Sequence, residues 1–224
     1  LAEHHESIAA FIVEPLVQGA AGMAMYHPIY LTRLRELCDR HRVHLIDDEI
    51  AMGFGRTGTM FAFEQAGIRP DFICLSKGIT GGYLPLSVVL TTDAVYAAFY
   101  DDATARGFLH SHSYTGNPLA CRAALAVLDI FEEDDTLQQN RAKADEFDAI
   151  LSTLAEHPRI SHYRHLGMIW AFDVAAAPPG FSRTFHANAL KYGVFMRPIG
   201  NTVYFMPPYV IGEAEMRLLA DATL

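Results

Sequence analysis

Short apolar runs closed by ionisable residues, and separated by helix-length amphipathic segments, constrain this chain more than any other feature. Ala9-Ala10-Phe11-Ile12-Val13 is closed by Glu14-Pro15, where proline disfavours continuation as a central strand. Val43-His44-Leu45-Ile46-Asp47 ends at Asp48-Glu49, and Asp71-Phe72-Ile73-Cys74-Leu75 ends at Ser76-Lys77. Leu86–Thr91 is a further strand-like run, followed by a short helix at 93–100. Tyr30, Leu31, Leu34, Leu37 and Cys38 recur at i, i+3, i+4 spacing, which predicts an amphipathic helix over 28–42 with Pro28 as its first residue. Strands alternating with helices predict an α/β fold with a mostly parallel sheet.

Beyond Pro118 the pattern changes. Helices are predicted from Pro118 to Glu133 and from Leu137 to about His157, with the acidic run Glu132-Glu133-Asp134-Asp135 as a hinge. Strand signals follow at 168–174, 194–197 and 202–206, a helix at 182–192 and a last helix from 213. These elements predict two domains: residues 1–133 as part of a large domain, and 134–224 as a small α+β C-terminal domain.

The net charge of −9 argues against a nucleic-acid surface, which requires clustered Lys and Arg. No apolar run reaches bilayer length, so no membrane partner is expected. Cys38, Cys74 and Cys121 are odd in number and far apart, which speaks against a disulfide framework and fits a cytoplasmic setting.

Ligands of open α/β sheets bind at the carboxyl ends of strands. Asp48 and Lys77 stand at two such ends, one crossover apart. A lysine amine there can condense with an aldehyde, and a carboxylate can pair with a pyridinium nitrogen and keep it protonated. Ser76, Gly78 and Gly81-Gly82 leave room for a bound group, and Ile50 offers an apolar face to a flat ring. On spacing alone, a turn or helix cap for Asp48 and a surface role for Lys77 stand as open alternatives.

Two other signals compete. Gly53-Phe54-Gly55-Arg56-Thr57-Gly58 fits the dinucleotide fingerprint, with Asp71 near the position of an acidic ribose ligand. The fingerprint does not begin at the strand end, however, and Asp71 opens the next strand instead of closing it. His4, His5, His110 and His112 lack a further ligand at recognisable spacing, so no metal is expected.

The runs Asp48–Gly58 and Leu75–Gly82 resemble the two signature segments of class III pyridoxal-phosphate aminotransferases. Glu14-Pro15-Leu16-Val17-Gln18-Gly19 and His112-Ser113-Tyr114-Thr115-Gly116-Asn117-Pro118 resemble two more, in family order. The resemblance implies the fold type I architecture of these transferases, with pyridoxal 5'-phosphate as cofactor. It makes Lys77 the residue that binds the cofactor aldehyde, Asp48 the partner of the ring nitrogen and Ile50 the residue packed on the ring. Ser113 stands where the family usually has a Thr reaching the cofactor phosphate of the second subunit, so a homodimer is implied. Ala51 replaces a Gln common in the family, which narrows the subfamily.

The segments Gly193–Gly200 and Val203–Tyr209 narrow it further. There the resemblance implies that Arg197 holds the substrate carboxylate, as a planar fork suits bidentate pairing, and that Tyr204 and Arg56 line the substrate site. Residue physics alone leaves Arg197 equally a surface residue at a strand edge. The expected reaction is transamination between a small-molecule amino donor and a keto acceptor. The family's phosphate-binding turn is not found in the chain, and the chain opens without Met close to a strand, so it reads as a C-terminal half with the N-terminal part missing. An inactive piece is the alternative if these residues are the whole polypeptide.

Overall fold

The computed structural model describes residues 1–224. In chain order the elements are β1 (Ala10–Val13), β2 (Val17–Gln18), β3 (Ala24–Met25), α1 (Ile29–His41), β4 (His44–Asp48), β5 (Phe72–Leu75), β6 (Val88–Thr91) and α2 (Asp93–Ala97). They continue with α3 (Pro118–Glu133), α4 (Thr136–Leu151), β7 (Ile160–Leu166), β8 (Ile169–Val174), α5 (Phe181–Lys191), β9 (Thr202–Phe205) and α6 (Glu213–Asp221). The chain forms two compact units. The first comprises Leu1–Leu16, His27–Phe54 and Phe61–Asp135; the second comprises Val17–Tyr26, Gly55–Met60 and Thr136–Leu224.

The first unit is built on a four-stranded sheet of order β1-β4-β5-β6. β1, β4 and β5 run parallel, as the strand–helix alternation predicts. β6 pairs antiparallel with β5, because residues 76–87 supply no helix long enough to carry the chain back for a parallel return. α1 packs on β4 and buries Leu31, Leu34 and Cys38. Pro28 stands just ahead of it as the cap, in helical φ/ψ, rather than as its first residue. Arg42, in the left-handed region, ends the helix, and its N–H returns to the Asp39 and Cys38 carbonyls.

The second unit is an antiparallel sheet of order β7-β8-β9 covered by α4, α5 and α6. Its core holds Phe147, Leu151, Leu154, Met168, Trp170, Phe172, Val203, Phe205 and Met216. Two local expectations fail here. The predicted second helix stops at Leu151 and continues only as a 3-10 turn to Glu156; β7 then begins, a strand its mixed sequence Ile-Ser-His-Tyr-Arg-His-Leu does not announce. Residues 194–197 alternate buried and exposed like a strand but join no ladder. The Met196 and Pro198 carbonyls are taken instead by His186 Nδ1 and Ser182 Oγ of α5, at 2.8 and 2.6 Å.

The β2–β3 hairpin belongs to this unit. Arg164 donates from Nε to the Met23 carbonyl at 2.9 Å and pairs with Asp173 at 3.1 Å; Thr202 donates to the same carboxylate at 2.7 Å. Burial of Asp173 pushes its pKa up, but the hydrogen bonds from Thr202 and Arg164 outweigh it and hold the value below the usual range. Gly167, at φ +56°, turns β7 into β8 where a Cβ would lie 2.5 Å from the Thr57 carbonyl carbon and 2.6 Å from the Arg56 oxygen. A Gly167→Ala protein should therefore lose on the order of 3 kcal/mol of stability, from left-handed strain plus a backbone clash that no rotamer relieves. Urea unfolding of the variant beside the parent measures it.

Candidate active site

β4 and β5 are adjacent and parallel, with Asp48 opposite Cys74. Asp48 is the last residue of β4, and Lys77 follows the end of β5 by two residues. Both therefore emerge at the same carboxyl edge of one sheet, as their positions in the sequence predict. Asp48 is half-buried, and its Oδ1 accepts the Ile50 N–H at 3.1 Å. That bond turns the chain over so that Ile50 follows at the rim, and leaves Oδ2 without a protein donor.

Lys77 opens a 3-10 turn, Lys77–Thr80, against which α3 packs. Its φ of +45° places a non-glycine residue in the left-handed region, a strain of order 1–3 kcal/mol that persists only where the surroundings enforce it. The enforcing contacts are visible. Ser76 donates to the Leu86 carbonyl at 2.8 Å and Thr80 to the Leu84 carbonyl at 2.5 Å, while a Cβ on Gly78 would meet Phe54 at 3.0 Å. Lys77 is exposed and makes no ion pair. The chain has three lysines, and the other two are engaged elsewhere: Lys143 donates to the Tyr209 carbonyl and Lys191 to Asn188. Only Lys77 offers an amine at the strand edge.

The remaining predicted residues are distributed as follows. Ser113 lies in the exposed segment before α3. His110 and His112 are in the same stretch, and no group of three or more His, Cys, Asp or Glu side chains is arranged to hold a metal ion. In the second unit Arg56 donates to the Pro207 carbonyl at 2.6 Å and lies 4.4 Å over the Tyr209 ring. Arg197 and Tyr204 line an open cleft with Arg183 and His186 on α5; Arg197 is exposed, with no carboxylate partner. Asp71, the decoy ribose ligand, is a structural residue: it pairs with Arg35 and accepts the Leu45 N–H, at 2.8 and 2.7 Å. Burial pushes its pKa up, but the hydrogen bonds from Arg35 and the Leu45 N–H, with the charge of Arg35, together outweigh it and hold the value below the usual range.

Two buried carboxyls escaped the sequence reading. Asp47 and Glu49 flank Asp48 and are both fully buried. Burial raises both pKa values, and the charge of Asp47 adds to the rise at Glu49. The signal was present in the sequence: strand periodicity turns Asp47 and Glu49 to the face opposite Asp48, the face on which Val43 and Leu45 are buried.

A sheet edge that offers one lysine and one carboxylate from neighbouring parallel strands can meet a ligand carrying both an aldehyde and a basic ring nitrogen. The profile of aminotransferase class-III matches residues 1–223, and the chain belongs to that family. It is 48% identical over 223 residues to adenosylmethionine-8-amino-7-oxononanoate aminotransferase of Helicobacter pylori, covering 97% of this chain and 51% of that protein. The crystal structure of the enzyme of that name from Methanocaldococcus jannaschii superposes with a TM-score of 0.93 at 36% identity, over 99% of this chain and 54% of the other. An amine transaminase from an uncultivated Pseudomonas species, in its PLP-bound form, gives a TM-score of 0.88 at 35% identity, over 99% and 52%. The chain thus spans about half the length of the relatives it matches. No helix is long and apolar enough to cross a membrane.

Proposed function

We propose that the protein to which this chain belongs is a pyridoxal-phosphate-dependent aminotransferase that converts 8-amino-7-oxononanoate to 7,8-diaminononanoate for biotin synthesis, with S-adenosylmethionine as amino donor. The observation that carries the reaction class is the emergence of Asp48 and Lys77 at one edge of adjacent parallel strands. The donor set fits the cofactor: a carboxylate oxygen without a protein donor, a single available amine, and an apolar residue between them in sequence. Bound there, the cofactor supplies a protonated ring that stabilises negative charge on a carbon losing its proton.

The chain's own residues do the rest. Asp48 would hold the ring nitrogen in its protonated form. Lys77 Nζ would hold the cofactor through its aldehyde and, as the one available amine, would serve as general acid and base for the proton at the donor carbon. Ile50 would offer its apolar face to the ring. Ser113 is assigned to the cofactor phosphate of the second subunit of a homodimer. Arg197 takes the acceptor carboxylate, and Tyr204 and Arg56 line the substrate site. Residues 1–133 serve as part of the large cofactor-binding domain, except Val17–Tyr26 and Gly55–Met60, which join 134–224 in the small domain. The free thiols of Cys38, Cys74 and Cys121 fit a reducing cytoplasm.

The test is a donor and acceptor panel on the purified full-length protein. 8-Amino-7-oxononanoate should be aminated with kcat/KM at least about 100-fold above pyruvate, as expected where a built polar site is filled only by its own substrate. Comparable rates with pyruvate would favour a broader ω-amino acid:pyruvate aminotransferase. S-adenosylmethionine and lysine as alternative donors decide the amino source. Arg197→Ala should raise KM for the acceptor about 10- to 100-fold, the loss of one charge-assisted bidentate pair, with kcat changed less.

A further inference from the structure

Asp47 and Glu49 are the only fully buried carboxyls at the strand edge, and no lysine, arginine or histidine pairs with either. Asp47 Oδ1 and Oδ2 and Glu49 Oε2 have no hydrogen-bond donor. Two apposed carboxylates have no hydrogen to give, and leaving both charged in an apolar interior is far costlier than retaining one proton. The other Glu49 oxygen, Oε1, accepts the Phe63 N–H at 3.0 Å, and the Glu49 carbonyl accepts the Gly53 N–H at 2.9 Å. Gly53 sits where a Cβ would press on that same carbonyl at 3.0 Å. The turn so pinned delivers Phe54, held at φ +57°, against Gly78, next to Lys77. Glu49 thus stands at the head of a chain of contacts running from Asp48, its neighbour in sequence, to the turn that bears the lysine.

We propose that Glu49 is a positioning residue for the proposed cofactor site, holding a proton between its Oε2 and Asp47 while Oε1 anchors the turn that braces Lys77. The inference rests on the cofactor reading above. The titratable groups facing the pair are Asp48 alongside and Cys74 on β5, whose thiol burial raises and the two aspartates raise further. Because burial lifts the folded-state values of the pair, its stabilising proton is fully present below the ordinary carboxylate range, near pH 4, and is lost as pH rises through neutral toward the folded values.

The experiment uses the full-length protein with Glu49→Gln, Glu49→Ala and Asp47→Asn. Stability of the cofactor-free protein is followed by urea unfolding from pH 6 to 9, and cofactor affinity by absorbance titration. The parent should lose stability as pH rises. Glu49→Gln and Asp47→Asn, which place a permanent amide donor between the two groups, should flatten that slope. Glu49→Gln should bind pyridoxal phosphate within about 2-fold of the parent, whereas Glu49→Ala should bind at least 10-fold more weakly with Asp48 and Lys77 intact. Should Glu49→Ala fail to fold, the slopes of the other two variants decide, and slopes equal to the parent's overturn the shared proton. If Lys77→Ala abolishes the cofactor band while Glu49→Ala binds normally, the positioning role is wrong and the cofactor site stands. If Lys77→Ala keeps the band, the cofactor site itself is wrong.

Discussion

Replacing Lys77 with Ala should abolish the visible absorbance band of the reconstituted full-length protein and lower turnover by at least about 10⁴-fold, the scale on which removal of a covalent catalytic group acts. The structure offers no substitute. Lys143 and Lys191 are committed to Tyr209 and Asn188, and the other cations of the chain are arginines and histidines, which do not form the same bond to an aldehyde. The fold should survive, since Lys77 is exposed and unpaired. A Lys77→Gly protein sharpens the point. It relieves the left-handed strain at φ +45° and should be more stable than Lys77→Ala by about 1 kcal/mol, yet equally inactive. Greater stability with no activity is the outcome expected if the strain at this position serves the proposed chemistry. Near-parental turnover in either variant would remove Lys77 from the mechanism.

β1, α1, β4, β5, α3 and α5 were readable from the sequence because each has a clean period and an end signal, such as the Asn117 side chain that accepts the Leu119 N–H at the start of α3. β7 was not, because Ser161, His162, Arg164 and His165 are held by a neighbouring strand and by ions and rings, not by an apolar face. His165 stacks on Trp170 at 4.9 Å, and Arg164 serves the β2–β3 hairpin. The 194–197 segment carries a strand's alternation without its partner, and alternation cannot tell a ladder from carbonyls capped by His186 and Ser182. At the site, Asp48 and Lys77 were visible as ionisable residues where apolar runs stop. Asp47 and Glu49 were hidden by the same rule, since a rule that looks for charges at strand ends groups all three acids together. Only their alternation across the sheet separates a carboxylate free to meet a ligand from two that are buried behind it.

Asp48→Asn is the companion test, and its expected effect is nearly as large. Asn keeps the volume and an oxygen to accept the Ile50 N–H, so the turn at the strand end should persist and the cofactor should still bind. What disappears is the negative charge that the proposed site sets against the ring nitrogen. An opposite charge in direct contact shifts a pKa by about 1–3 units, each worth about 1.36 kcal/mol, so the protonated ring becomes a minor species at neutral pH. The rate of proton removal from the donor carbon should then fall about 10²- to 10⁴-fold, read in single turnovers with donor alone. Asp47 cannot take over, because it lies on the opposite face of β4 and is fully buried. Three variants at three consecutive positions should therefore give three different outcomes. Asp48→Asn slows chemistry with the cofactor retained, Asp47→Asn changes the pH dependence of stability, and Glu49→Ala loosens the cofactor. A single shared phenotype would mean that the strand end acts only as a structural unit, and that the separation of its two faces carries no chemistry.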